Sequence, residues 1–374
     1  MAFSLLIKPA SSDCNLRCRY CYYGQKKDSI SQGRIPQSSS GMSDTVLEKV
    51  IQSYMQTEQD IYSMVWHGGE PTLMPVSFFE QAIALQKQYA VKGARISNSI
   101  QTNATIISDN LASFMARYRF LCGVSLDGPP DIHNLYRKTS TGKNTHAWAL
   151  NGIASLQKRG VPVNILVLVS QANVRKPLEV YRYLKKKGFT HIQFIPCLEY
   201  DKNGQPLEHS ISGEEWGDFL VAVFNEWFRY DLTIFSIRIF ESILAKLVYN
   251  TAIDCYNSDR CNRYLVVEQD GGVYPCDFFV EKEYLLGNLL EDSFEDIIGS
   301  TTYRQFYGKK VRWHTECDTC EFQNLCMGDC LKFRMCGNMQ AHTLSPLCRG
   351  WKTFYEQTLS RFHSLSKHLM SSKS

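Results

Sequence analysis

Three cysteines fall within eight residues, Cys14, Cys18 and Cys21 in CNLRCRYC, spaced by four and three positions with the aromatic Tyr20 just before the last. Structural zinc normally takes four protein ligands, and catalytic zinc with three usually relies on His rather than on a purely cysteine set. A cubane iron-sulfur cluster takes one thiolate per iron, so three thiolates leave one iron open to a chelating small molecule. A second array lies far along the chain: Cys255, Cys261, Cys276, Cys317, Cys320, Cys326, Cys330 and Cys348. Eight thiolates suit two four-ligand sites, and the CxxC pair at Cys317 and Cys320 leaves a zinc ribbon as a serious alternative for this region.

Composition limits what else the chain does. Its 374 residues are 44% hydrophobic and 21% charged, an ordinary globular balance, with room for more than one domain. A formal charge of +4 with no basic run gives no reason to expect nucleic acid. The longest apolar run, VPVNILVLVS, is too short for a bilayer, and MAFSLLIK lacks the features of a signal peptide, so a cytoplasmic protein without a membrane partner is expected. Fourteen cysteines in a reducing compartment point to metal rather than disulfides. Cys122, Cys197 and Cys336 stand outside both arrays and read as structural thiols.

The elements that must position these residues alternate. Six β-branched or aromatic runs, 4–8, 61–67, 95–101, 120–125, 163–169 and 191–196, are each followed by an amphipathic helical stretch. In the first helix, capped by Ser43 or Asp44, the residues Val46, Leu47, Val50, Tyr54 and Met55 make one apolar face. Six βα units form either an open doubly wound sheet or an incomplete version of the eight-unit barrel. HGGEP, QTN, SLDG and PCL all fall at carboxyl ends of strands, the edge that hosts the active site in both architectures. Residues 24–41 read as a mobile polar loop, and 236–250 as a bridging helix. From 255 the βα rhythm is expected to stop, with a hairpin turning at Asp270-Gly271-Gly272 and a helix over 351–370.

CNLRCRYC resembles the signature of the radical S-adenosylmethionine (SAM) enzymes, whose fold is a partial (β/α)6 TIM-like barrel and whose open iron is chelated by the amino and carboxylate groups of SAM. The resemblance implies a barrel over 1–235, a bridging helix at 236–254, a cysteine-rich SPASM domain at 255–350 and a C-terminal helix and tail at 351–374. By the same resemblance Gly68 and Gly69 approach the methionine moiety, Glu70 accepts from its ammonium, Tyr20 meets the adenine, and Asn103, Ser125, Arg137 and Leu198 make further contacts. SPASM similarity assigns Cys255, Cys261, Cys276 and Cys330 to one auxiliary 4Fe-4S cluster and Cys317, Cys320, Cys326 and Cys348 to another, three clusters in all.

Across nearly the whole chain, SLLIKPASS, HGGEPTL, SIQTN, SLDGP and GGVYPCDFF resemble the anaerobic sulfatase-maturating enzymes. That implies oxidation of a Cys or Ser in an unfolded sulfatase segment, Cys/Ser-x-Pro/Ala-x-Arg, to Cα-formylglycine. Asp277 is then the base, an auxiliary cluster the electron acceptor, and a flavodoxin or ferredoxin the low-potential donor. By itself, Asp277 reads as a solvated residue at a strand end. Ala104 and Asp329 stand where such enzymes often have Gly, and both are expected to be conservative in size or exposed. A radical enzyme forming thioether or carbon-carbon crosslinks in a ribosomal peptide is the second reading. Many of those carry an extra N-terminal domain, and a first strand at residue 4 is expected to leave no room for one. A non-catalytic zinc protein is the third.

Overall fold

The apolar runs fold as six strands: β1 Ser4–Lys8, β2 Tyr62–Trp66, β3 Ile96–Thr102, β4 Leu121–Ser125, β5 Val163–Val169 and β6 His191–Pro196. They are seen in a computed structural model that describes residues 2–25 and 41–371. Apart from its ends, the polar stretch read as a mobile loop lies outside the described residues. A helix follows each strand: α1 Asp44–Met55, α2 Val76–Tyr89, α3 Asp109–Arg117, α4 His146–Lys158, α5 Pro177–Lys186 and α6 Gly213–Tyr230. At the start of α1 the Ser43 hydroxyl accepts from Val46 N, and Val46, Leu47, Val50, Ile51, Tyr54 and Met55 are buried together. Burial of each such side chain is worth about 1.5–3 kcal/mol, which is what makes the helix stable in place. Polar groups on the buried face are paired: Trp66 Nε1 and Gln86 Nε2 both donate to Asn98 Oδ1 at 3.0 Å.

The chain divides into two compact units, each gathered from distant stretches. One comprises Met1–Ser125, Arg137–Val163 and Asn262–Tyr307; the other Leu126–Tyr136, Asn164–Cys261 and Gly308–Ser374. In the first, β1 pairs in parallel with β2, β2 with β3 and β3 with β4. On its other side β1 pairs in parallel with β8, Tyr264–Glu268. So the parallel pattern does not stop at 255, as the sequence suggested. Leu265, Val266 and Val267 are apolar on both faces and fully buried, the mark of an interior strand. β8 then turns at Gly271 (φ +85°) into antiparallel β9, Gly272–Tyr274, where the hairpin was expected, and β9 pairs with β10, Gly287–Asn288.

In the second unit β5 and β6 are parallel. The expected helix from 236 starts two residues later, because Ser236 and Ile237 pair with β6 as a short strand, β7, before α7, Arg238–Tyr249. The last helix, α8 Cys348–Ser371, begins at a cysteine of the second array. It crosses α6 at glycines: a Cβ on Gly350 would sit 1.9 Å from Gly213 O and 2.8 Å from Gly217 N. Gly350→Ala is therefore expected to cost about 1–3 kcal/mol or more by overpacking. Because Cys348 moves with the same helical turn, the variant should also lose iron, read by denaturant unfolding and metal analysis of one preparation.

Candidate active site

Beyond β1 the chain turns through Pro9–Asp13 into the cysteine triad, with Ser11 in the left-handed region (φ +45°). The HGGEP turn after β2 clasps this loop: Gly69 N donates to Ser11 O and Glu70 N to Asp13 O, both at 2.7 Å. A Cβ on Gly69 would lie 2.0 Å from Asp13 O, and one on Gly68 (φ +118°) 2.8 Å from Ser11 O. What lies against the missing side chains of both glycines is thus the backbone of the triad loop, which the sequence reading had not placed there. Glu70 is 1% exposed. Its Oε1 accepts from Thr72 N (3.0 Å), Thr72 Oγ1 (2.6 Å) and Thr102 Oγ1 (2.7 Å), while among the described residues Oε2 accepts only from Asn103 N (2.8 Å). A carboxylate has about four lone-pair sites, so Oε2 retains one for a ligand.

The triad thiols are half-buried. Leu16 N (3.4 Å) and Asn103 Nδ2 (3.7 Å) donate to Cys14 Sγ, and Gly24 N (3.3 Å) to Cys21 Sγ. Burial pushes the Cys14 thiol up to about 11, the Leu16 and Asn103 hydrogen bonds opposing it and the nearby Glu70 and Cys21 adding to it. A bare thiolate is costly there, whereas a metal-bound one, already served by N–H donors, is not. Asn103 is also bound to Asn15, and its Oδ1 accepts from Thr105. Arg137 lies 5.3 Å from the Tyr20 ring, and Arg17 N donates to Lys138 O at 2.7 Å, fastening the triad loop to the segment after β4. Ser125 closes β4, half-buried; Leu198 is buried in the second unit.

Asp277, immediately after Cys276, is not solvated. Its Oδ1 lies 2.6 Å from Lys8 Nζ and its Oδ2 accepts from the Tyr22 hydroxyl. Lys8 has no exposed surface; it lies 3.7 Å from Glu268 and 3.6 Å from the centre of the Tyr23 ring, and Tyr23 donates to Glu268. Burial alone would raise the Asp277 carboxyl, but Lys8 above all, with the Tyr22 hydrogen bond, holds it well below the usual range. His67, lowered by its own burial, is neutral near pH 7 and adds little charge. Glu268 moves the other way, raised by burial against the opposing Lys8 and Tyr23. Environments that push two neighbouring carboxyls apart mark sites of proton chemistry. Lys8, Tyr22, Tyr23, His67 and Glu268 escaped the sequence reading. The available signal was a lone charge ending each of two apolar strands, SLLIK and YLVVE, whose Lys8 and Glu268 are register partners.

Of the second array, Cys276 belongs to the first unit, with its Sγ 3.6 Å from the Tyr264 hydroxyl. Cys317, Cys320, Cys326 and Cys348 line one pocket with Phe322, Trp351 and Tyr355. Cys255, Cys261 and Cys330 lie in the same unit as that pocket; burial pushes Cys261 up to about 12, Lys310 and Arg334 opposing it and Cys330 and Cys255 adding to it. Among the described residues no three Cys, His, Asp or Glu converge closely enough for a single metal ion. A four-iron cluster instead spreads its thiolates around a pocket of this kind. Cys122 and Cys197 are buried with thiols pushed up to about 12 by desolvation, and Cys336 bonds Phe333 O at 2.7 Å. Asp329 departs from expectation, being neither small nor exposed; both it and Ala104 are buried, at φ +63° and +57°, the region that favours glycine. Asp329 compensates by accepting from Cys330 N and Ser345 Oγ.

Residues 9–184 match the radical SAM superfamily, and residues 255–321 an iron-sulfur cluster-binding domain, SPASM. A cysteine-type anaerobic sulfatase-maturating enzyme of Clostridium perfringens is 35% identical over 98% of this chain and 99% of its own. A serine-type enzyme of that name from Bacteroides thetaiotaomicron is 34% identical over 98% and 92%. A solved structure described as native anSMEcpe with bound AdoMet and Kp18Cys peptide superposes with a TM-score of 0.91, at 34% identity, covering 98% of this chain and all of that one.

The Gly69 clasp predicts a selective defect. In Gly69→Ala the new methyl group displaces Asp13 and with it the triad loop, so iron should fall from about twelve to about eight per chain while the auxiliary sites stay loaded. Iron and sulfide analysis of anaerobically purified protein reads the difference.

Proposed function

The chain belongs to the anaerobic sulfatase-maturating enzymes of the radical SAM superfamily, and we propose that it oxidises a Cys or Ser side chain of a sulfatase segment to Cα-formylglycine. The observation that carries this reading is a match of 98% of the chain to enzymes of that name, together with a buried, ionised Asp277 beside Cys276. Relatives named for each type match at 35% and 34%, so both side chains stand as substrates.

When bound, the triad cluster and SAM supply a 5'-deoxyadenosyl radical that removes hydrogen from the substrate Cβ, and the auxiliary clusters supply an electron sink. Cys14, Cys18 and Cys21 hold the first cluster, and the remaining lone pair of Glu70 Oε2 receives the SAM ammonium. Gly68 and Gly69 hold the loop against which SAM lies, with Tyr20, Asn103, Ser125, Arg137 and Leu198 as its further contacts. Cys255, Cys261, Cys276 and Cys330 hold one auxiliary cluster; Cys317, Cys320, Cys326 and Cys348 hold the other. Along the chain, residues 1–235 carry the triad, 236–254 a bridge and 255–350 the auxiliary cysteines, while by contacts 262–307, with Cys276, pack in the first unit.

Asp277 takes the proton. Oδ1 is ion-paired with Lys8 at 2.6 Å, and the lone pair that this contact does not use serves a substrate thiol or hydroxyl. A carboxylate this weakly basic suffices, because removal of the Cβ hydrogen makes the neighbouring S–H or O–H far more acidic. Loss of one hydrogen atom, one proton and one electron leaves a thioaldehyde or aldehyde, and hydrolysis of the former releases sulfide. The segment is presented before the sulfatase folds, in the cytoplasm, with a flavodoxin or ferredoxin as the reductant; no helix among the described residues is long and apolar enough to cross a membrane.

Asp277→Asn keeps the shape and removes the base. SAM cleavage to 5'-deoxyadenosine should persist while aldehyde formation falls by about 10²-fold or more. Mass spectrometry of a sulfatase-motif peptide after turnover reads the product, and undiminished aldehyde would remove Asp277 from the mechanism. An internal crosslink in place of an aldehyde would overturn the function itself.

A further inference from the structure

Two cations are buried in the cysteine-rich unit with no ion pair to a carboxylate among the described residues. Lys310 has no exposed surface, and its ammonium donates to the carbonyls of Tyr256 (2.7 Å) and Asp329. Arg334 is 1% exposed; Nη2 donates to Lys310 O at 2.8 Å, while Nε and Nη1 are buried with no hydrogen-bond partner among the described residues. The buried acid nearby, Asp329, spends its carboxylate on Cys330 N and Ser345 Oγ. Burying an uncompensated guanidinium or ammonium costs several kcal/mol. Such a cost is tolerated where the missing partner is an anion that the protein binds.

Both cations lie beside residues of the auxiliary sets. The carbonyls that Lys310 binds belong to Tyr256 and Asp329, chain neighbours of Cys255 and Cys330, and Arg334 N donates to Cys330 O at 3.3 Å. Gly328 lines the pocket of Cys317, Cys320, Cys326 and Cys348, and a Cβ on it would lie 3.4 Å from Arg334 Nη1. A four-iron cluster with four thiolates is an anion, and it gains a further negative charge when it accepts an electron. Net charge and hydrogen bonds to the sulfurs are what set its potential. We propose that Lys310 and Arg334 are shared counter-charges of the two auxiliary clusters, raising the reduction potentials of both so that they accept the electron the substrate radical gives up. The unpartnered Nε and Nη1 of Arg334 are donors for cluster or thiolate sulfur. The inference rests on the cysteine sets assigned above.

The test is a redox titration of the reconstituted full chain, followed by electron paramagnetic resonance, comparing wild type with Arg334→Met, Lys310→Met and Arg334→Lys. The control is wild-type iron: about twelve per chain upholds the cysteine assignment, and absence of auxiliary iron sinks that assignment rather than the role of the cations. With iron in place, each Met variant should shift the auxiliary potentials negative by about tenfold in the one-electron equilibrium, roughly 59 mV, and Arg334→Lys should restore most of the shift. Unchanged potentials in both Met variants overturn the proposal. If Arg334→Met loses auxiliary iron, Arg334→Lys decides: iron retained supports a role for charge, and iron lost in both variants overturns it.

Discussion

The structure of the first unit turns on one ammonium group. Lys8 ends β1 with no exposure to solvent, beside two carboxylates and over the face of Tyr23. Desolvating a lysine is costly, and the cost is met only if its partners are present and fixed. Both carboxylates come from the β8–β9 hairpin: Glu268 is the register partner of Lys8, and Asp277 follows the hairpin's second strand. The tyrosines Tyr22 and Tyr23 arrive from the loop that carries the triad and donate to the same two acids. Burial and the adjacent carboxylates push both phenols upward, so both stay protonated and remain donors. One buried charge therefore ties the first strand, the triad loop and the segment bearing Cys276 into a single arrangement.

The same interaction explains how two similar acids differ. Glu268 and Asp277 both face Lys8, yet the nearer, at 2.6 Å against 3.7 Å, takes most of the field and stays ionised. Asp277 is then a proton acceptor over the whole physiological range without being a strong base. The third buried acid, Glu70, is saturated on one oxygen by Thr72 and Thr102 and nearly free on the other. Its clamp on two strand ends is what aims the open oxygen.

Much of this was legible in the sequence. Strand and helix positions followed from periodicity, because apolar faces are written into it. The triad and HGGEP lay in contiguous motifs, but the clasp of one on the other, a contact between distant segments, did not show. The auxiliary pocket was named from resemblance, since its cysteines come from four places and spacing does not say which share a pocket. The parallel seat of β8 was hidden, because a fully buried strand and a hairpin strand look alike as short apolar runs. Lys8 was hidden for a related reason: a lysine at a strand end reads as a solvent-facing terminus. Only its register with Glu268, a long-range fact, shows otherwise. Asp329 was misread as exposed, and the backbone at both Ala104 and Asp329 was hidden, because substitution type says nothing of a φ of +57° or +63°.

Buried charge follows what lies beside it. In the first unit Glu70, Glu268 and Asp277 outnumber Lys8, and His67 is neutral. In the second, Asp127, Asp231 and Asp329 are buried with Lys310 and Arg334, Asp231 being paired with Lys185, and the two cations are in the stretch that carries the auxiliary cysteines. SAM brings a sulfonium and an ammonium, and a thiol about to lose a proton needs an acceptor, so the first site favours anions. Clusters with four thiolates are anions that become more so on reduction, so the cysteine-rich stretch favours cations. Excess buried charge without a ligand destabilises a fold. Loading the cofactors is for that reason expected to stabilise the fold, so that the holoenzyme is more stable than the chain alone.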